Sequence, residues 1–115
     1  MQPVRQAGVY AFAALPPGSD PSALDPVATL REAEGITVIV EETRARQAGL
    51  DILFRAAWIT LTVPSDLQAV GLTAAFAGLL ADAGIACNVV AGAFHDHIFV
   101  PVESSDAAMA ALLAR

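Results

Sequence analysis

The sequence predicts an α+β chain in which two helices cover one face of an antiparallel sheet. Three observations carry that prediction. In the C-terminal half, apolar residues switch between period 2 and period 3.6 in the order strand, helix, strand, strand, helix. The chain has 115 residues, 56% of them hydrophobic and 16% charged, so it can bury a core and is not a disordered segment. Residues 70–94 carry one charge, Asp82, and are long enough to span a bilayer. Gly84 divides them into a helical and a strand-like half, so they are expected to form a helix and a strand instead.

The elements follow in order. Residues 9–15 read as a strand that stops at Pro16-Pro17-Gly18. Residues 16–26, with four prolines, Gly18, Ser19, Asp20 and Asp25, read as a loop. Residues 27–31 and 36–40 are short β-rich runs, and Gly35 between them offers the positive φ of a tight hairpin. Residues 41–48 open on Glu41 and Glu42, close on Arg44 and Arg46, and meet Gly49, the pattern of a short capped helix.

Residues 53–63 form the next predicted strand, with Ile59, Leu61 and Val63 on one face and Trp58, Thr60 and Thr62 on the other. Pro64 ends it. Residues 70–83 place Leu72, Phe76, Leu79, Leu80 and Ala83 at helical spacing, and Gly84 caps them. Residues 85–91 continue as a strand with Cys87, Val89 and Ala91 on one side. A turn over residues 92–96 leads to a strand over residues 97–102, with Ile98, Val100 and Val102 facing the core. Ser104 or Ser105 then caps a last helix bearing Met109, Leu112 and Leu113.

A βαββα order gives a ferredoxin-like sheet with both helices on one face. That fold has one more strand after its second helix. Residues 9–15 or the hairpin at Gly35 are expected to supply it. The chain is therefore divided into an incomplete ferredoxin-like half over residues 1–56 and a fuller one over residues 57–115, in one compact unit.

The run Ser65-Asp66-Leu67-Gln68-Ala69-Val70-Gly71-Leu72-Thr73-Ala74-Ala75, with Ala81-Asp82-Ala83-Gly84-Ile85-Ala86-Cys87-Asn88-Val89-Val90, resembles the ACT-domain family of small-molecule regulatory modules. Family members place a glycine at the strand-to-helix loop and an Ala-Gly-Ile at the helix-to-strand corner. His95-Asp96-His97-Ile98-Phe99-Val100-Pro101, with Glu32-Ala33-Glu34-Gly35-Ile36-Thr37 upstream, resembles more narrowly the bacterial CASTOR-type ACT proteins. The resemblance covers residues 8–113. It implies an ACT-type fold, a small-molecule effector such as an amino acid, and regulation in place of catalysis. The acidic residue, proline and glycine of many amino-acid-binding ACT loops are replaced here by Gln68-Ala69-Val70-Gly71.

The residues suggest where a ligand would sit. Val70, Gly71 and Leu72 lead into a helix N-terminus, whose free N–H groups and dipole favour a carboxylate, and Thr73 adds a hydroxyl. The plainer reading of Gly71 is a turn. Asn88 offers a polar grip or satisfies a loop backbone. His95 and His97 share a face if both lie on a strand, with Asp96 opposite. Two such ligands are too few for a metal, so these three are read as fixing the turn or as ligand contacts. Glu32 and Glu34 suit an ammonium group, or a solvated hairpin.

Other classes find little support. A net charge of −6 without a basic run argues against nucleic acid. No export signal and no membrane span are expected, and the single cysteine, Cys87, suits a reducing cytoplasm. No cofactor is indicated, and no nucleophile has an evident base beside it. A small-molecule-binding module is the first reading. A dimerisation module pairing through Trp58, Val90 and Phe99 is the second, and a small enzyme using the histidines the third. A homodimer is expected because Trp58 and Phe99 form an apolar face that needs cover.

Overall fold

The computed structural model describes residues 2–62, 67–68 and 71–114. In chain order the elements are β1 (Pro3–Arg5), β2 (Tyr10–Leu15), β3 (Ala28–Glu32), β4 (Gly35–Glu41), α1 (Glu42–Gln47), β5 (Phe54–Leu61), α2 (Leu72–Asp82), β6 (Asn88–Ala91), β7 (Asp96–Pro101) and α3 (Ser105–Leu113). Val63, Pro64 and Val70, which the sequence assigns to a strand face, a strand end and a ligand loop, lie outside the described residues. Two compact units divide the chain, one made of Gly8–Ala56 and the other of Met1–Ala7 with Ala57–Arg115.

In the first unit β2 pairs antiparallel with β4 along its whole length, from Tyr10↔Glu41 to Leu15↔Ile36. β3 lies on the far side of β4, and residues 54–56 of β5 pair with Tyr10, Ala11 and Phe12 of β2. The strand order is β3-β4-β2-β5. Ala11, Ala13, Val38 and Val40 present one buried face, and Ala45 of α1 packs on it. The prolines of residues 16–26 stop a helix from forming between β2 and β3. A single 3-10 turn, Ser22–Leu24, stands there and packs Leu24 against the same cluster. This unit is a βαββαβ plan with its first helix reduced to a turn.

The hairpin glycine, Gly35, has the positive φ its sequence suggests, 159°, and a second task besides. A Cβ there would run into the carbonyl oxygen of Leu15, so the residue is small because β2 passes too close for a side chain.

The second unit follows the same plan with its ends exchanged. β5, α2, β6, β7 and α3 run in order, and the closing strand is β1, from the opposite end of the sequence. β1 pairs antiparallel with β5, Pro3 opposite Leu61 and Arg5 opposite Ile59. It fills the edge for which residues 9–15 or the hairpin are expected from sequence. The strand order here is β1-β5-β7-β6, again last, first, third, second. β5 therefore serves twice, its first residues closing one unit and its remainder opening the other.

Ala57, Ile59 and Leu61 of β5 and Ile98 and Val100 of β7 share one cluster with Phe76 and Leu80 of α2 and Ala108 and Leu112 of α3. Both helices thus cover one face, as the βαββα pattern requires. Burial of ten such side chains at about 25 cal/mol per Å² of apolar area makes this cluster the main stabilising feature of the unit. Ala83, Ala91 and Leu113, placed in the core by periodicity, are exposed, because each falls at the end of its element where no partner reaches it. The strand expected from residue 85 begins only at Asn88, although Ile85 is buried.

The helix-to-strand corner explains that burial. Gly84, at φ 73°, lets the Ile85 amide donate back to the Leu80 carbonyl at 2.9 Å, which turns the Ile85 side chain into the core. α1 ends in the same way, with Gly49 at φ 69° and the Leu50 amide donating to Ala45 at 3.0 Å.

Candidate functional site

The expected ligand residues fall into three groups. Gly71, Leu72 and Thr73 stand at the start of α2. Gly71 is the residue before the helix, at φ 94° and ψ −22°, and its carbonyl accepts from the Ala75 amide at 3.0 Å. Only glycine takes that conformation without strain. A Cβ there would meet nothing within 4 Å among the described residues, so backbone is open to approach at this point. Among the described residues no side chain caps the helix, and its first turn holds no acidic residue. Thr73 is exposed in the first turn.

The second group lies on the sheet face turned away from α2 and α3. Residues directly opposite in an antiparallel pair share a face. Asn88 faces Phe99 and Val90 faces His97, so these four stand on one side, with Trp58 and Thr60 of β5. Asp96 points the other way and is buried, at 6% exposure, opposite Ala91. His95 precedes β7, and its carbonyl accepts from the Gly92 amide at 3.0 Å across the turn. Asn88 is exposed at the start of β6.

His97 is tied to β5. Its Nδ1 accepts the indole N–H of Trp58 at 3.0 Å and stands 3.1 Å from the Thr60 hydroxyl. The Gln6 amide donates to that hydroxyl at 2.9 Å. Burial pushes the imidazole below its ordinary value, the nearby His95 adds to the effect, and Asp96 opposes it. Reading His97 from sequence as a brace of the preceding turn misses this cross-strand role. Thr60 and Gln6 complete the cluster without a motif that marks them as partners. The alternation of residues 57–63 shows Thr60 on the same face as Trp58, but which strand lies beside β5 is a matter of topology.

The third group, Glu32 and Glu34, belongs to the other unit and is exposed at the β3–β4 turn. Glu32 accepts a hydrogen bond from the Thr37 hydroxyl, a solvated-hairpin arrangement. One further expectation is modified. Phe99 is fully buried and stacks on Trp58 at 6.0 Å, so it is not part of a free pairing surface. Cys87 is half-buried against the core, and burial raises its thiol, which keeps it protonated and unreactive. Among the described residues no three His, Cys, Asp or Glu side chains gather as a metal group, and no helix is long and apolar enough to cross a membrane.

The fold defines a protein built from two ferredoxin-like units, one with an open glycine corner at its first helix and a histidine cluster on its sheet. Two ACT-domain family models match in tandem, over residues 1–57 and 54–114, and the chain belongs to the ACT-domain family. ACT domains are typically regulatory and bind amino acids. No curated protein matches the chain. Among solved structures, a Vibrio cholerae protein of unknown function, described as a possible transport protein, is 49% identical. That match covers 96% of this chain and 86% of the other at a TM-score of 0.88. An Agrobacterium tumefaciens protein matches at 19% identity, 98% and 87% coverage and a TM-score of 0.81. The alpha and beta subunits of aspartokinase match at 10% identity, 97% and 95% coverage and a TM-score of 0.68, a likeness of fold.

Proposed function

We propose that this chain is a cytoplasmic regulatory protein that binds a small effector, an amino acid in first place, and works as a homodimer without catalysis of its own. Its two units, one of residues 8–56 and one of residues 57–115 closed by β1 in place of the sequence division at residue 56, act as two ACT-like lobes. The observation that carries the reading is the backbone at Gly71, which no described residue covers, in front of a helix start that no described side chain caps. A ligand carboxylate there accepts hydrogen bonds from amides that have no partner within the helix, in the favourable field of the dipole. Thr73 supplies a hydroxyl in the first turn. Asn88 and the His95, Asp96, His97 segment are secondary candidates, and Glu32 and Glu34 are candidates for an ammonium group. The lone cysteine with its raised thiol suits a reducing compartment.

Isothermal titration against the twenty amino acids tests this. At least one is expected to give saturable heat. Gly71→Ala, which strains the backbone and fills the approach, is expected to weaken that ligand by about tenfold or more, the equivalent of 1.4 kcal/mol. Silence across the panel, or binding indifferent to Gly71→Ala, rejects the corner as the site.

A further inference from the structure

Two hydrogen-bond donors converge on one imidazole nitrogen. The indole Nε1–H of Trp58 lies 3.0 Å from Nδ1 of His97, and the hydroxyl oxygen of Thr60 lies 3.1 Å from the same atom. An indole nitrogen donates and never accepts. Nδ1 must therefore present its lone pair, and the proton of the neutral ring sits on Nε2. The opposite ring orientation would aim a Cδ2–H at the indole N–H, so the partners fix the orientation.

Protonation changes the role of Nδ1 from acceptor to donor. Thr60 adapts, because a hydroxyl has two lone pairs and accepts from Nδ1 while still accepting from Gln6 Nε2, now 2.9 Å away. Trp58 does not adapt, since two N–H groups would face each other. We propose that His97 is a proton-operated latch whose neutral ring holds the Trp58 indole across β5 and β7 and whose protonated ring releases it.

The surroundings give that release a mechanical consequence. The imidazole and indole rings lie 5.7 Å apart, and the indole stacks on Phe99, fully buried beneath it. On the other side the ring crowds the β6–β7 turn, where a Cβ on Gly92 would stand 3.3 Å from Nε2. A ring displaced from Trp58 thus presses on a turn closed by the Gly92 to His95 backbone bond.

Among the described residues the ionisable neighbours are few. His95 and Asp96 flank the ring in sequence and act in opposite directions. β5 brings Trp58 and Thr60, which do not titrate near neutrality, and β6 opposes His97 with Val90 and has no ionisable residue. Arg5 of β1 is engaged with Ser105 and Asp106 of α3. Burial is the largest influence, and it favours the neutral ring. The latch is therefore closed above the ordinary imidazole value of 6.5 and opens as pH falls through the lower native value.

Trp58 is the only tryptophan, so its emission reports the latch directly. A reversible change in emission is expected on acidification, with a midpoint below 6.5. It should vanish in His97→Asn, whose amide oxygen stands where Nδ1 stood and accepts from the indole at every pH, and persist in His95→Gln. Nitrogen-15 spectra of the unaltered protein at neutral pH give a test that needs no variant, with Nδ1 expected bare and Nε2 protonated. A proton on Nδ1, or an emission change that survives His97→Asn, overturns the proposal.

Discussion

Glu42 illustrates how a single side chain organises its surroundings. It opens α1, where a carboxylate is favoured by the helix dipole, and its side chain is 16% exposed. Both Arg55 of β5 and Arg46, one turn along α1, donate to it. Hydrogen bonding from Arg55 is the main reason its carboxyl lies below the ordinary value of 4.5, with the charges of Arg55 and Arg46 adding to it. A carboxyl lowered in the folded state contributes stability that is complete above the unfolded value and lost as pH falls through the folded one. Glu42→Gln is expected to cost about 1 kcal/mol at neutral pH, as partly exposed ion pairs do. The gap between thermal melts of the two proteins should begin to close below about pH 4.5, the unfolded carboxyl value, and vanish only below the lowered folded one. A gap that stays constant down to strong acid would mean the pair contributes through packing and not through charge.

At the scale of elements, what could be read from the sequence followed the strength of local signals. Phe76 and Leu80 recur at helical spacing and Gly84 stops the run, so α2 is legible along with the corner at Ile85. The alternation of Ile59 and Leu61 against Trp58 and Thr60 is equally plain. β1 is not legible: it has three residues, begins with a proline, and pairs with a strand more than fifty residues away. The double use of β5 leaves no local trace either, because an eight-residue strand reads the same whether one unit or two claim it. The open corner was legible as chemistry through Gly71, whereas the His97 cluster depends on β7 lying beside β5, which no spacing reveals.

The β3–β4 hairpin shows how a residue can be needed for more than the sequence reveals. Its position and the positive φ of Gly35 follow from the turn signals, but that β2 runs against Gly35 and leaves no room for a side chain does not. Gly35→Ala is therefore expected to destabilise the first unit by about 1–3 kcal/mol, the usual range for forcing an added methyl into packed structure. Denaturant unfolding measures this. A change of a few tenths of a kcal/mol would show that β2 can move aside at no cost.

At the scale of the molecule, the strand orders leave β3 and β6 as the ends of their sheets. These edges differ. β3 carries Arg31 and Glu32, charges that discourage pairing with another chain, whereas β6 reads Asn88-Val89-Val90-Ala91 with neither charge nor proline. Val90 is 38% exposed and Phe94, in the turn that follows, 80%. An unprotected edge beside an exposed aromatic is a template for a second copy, and in a symmetric dimer the same strand meets itself. The proposed homodimer is therefore expected to form through β6. Val90→Lys places a charge on that edge without touching the buried residues Ile98 and Val100 on the other face. Sedimentation velocity at micromolar concentration should show the unaltered protein as a dimer and the variant as a monomer of unchanged circular dichroism. A dimer that survives the lysine moves the interface away from β6, and a monomeric parent protein removes the homodimer altogether.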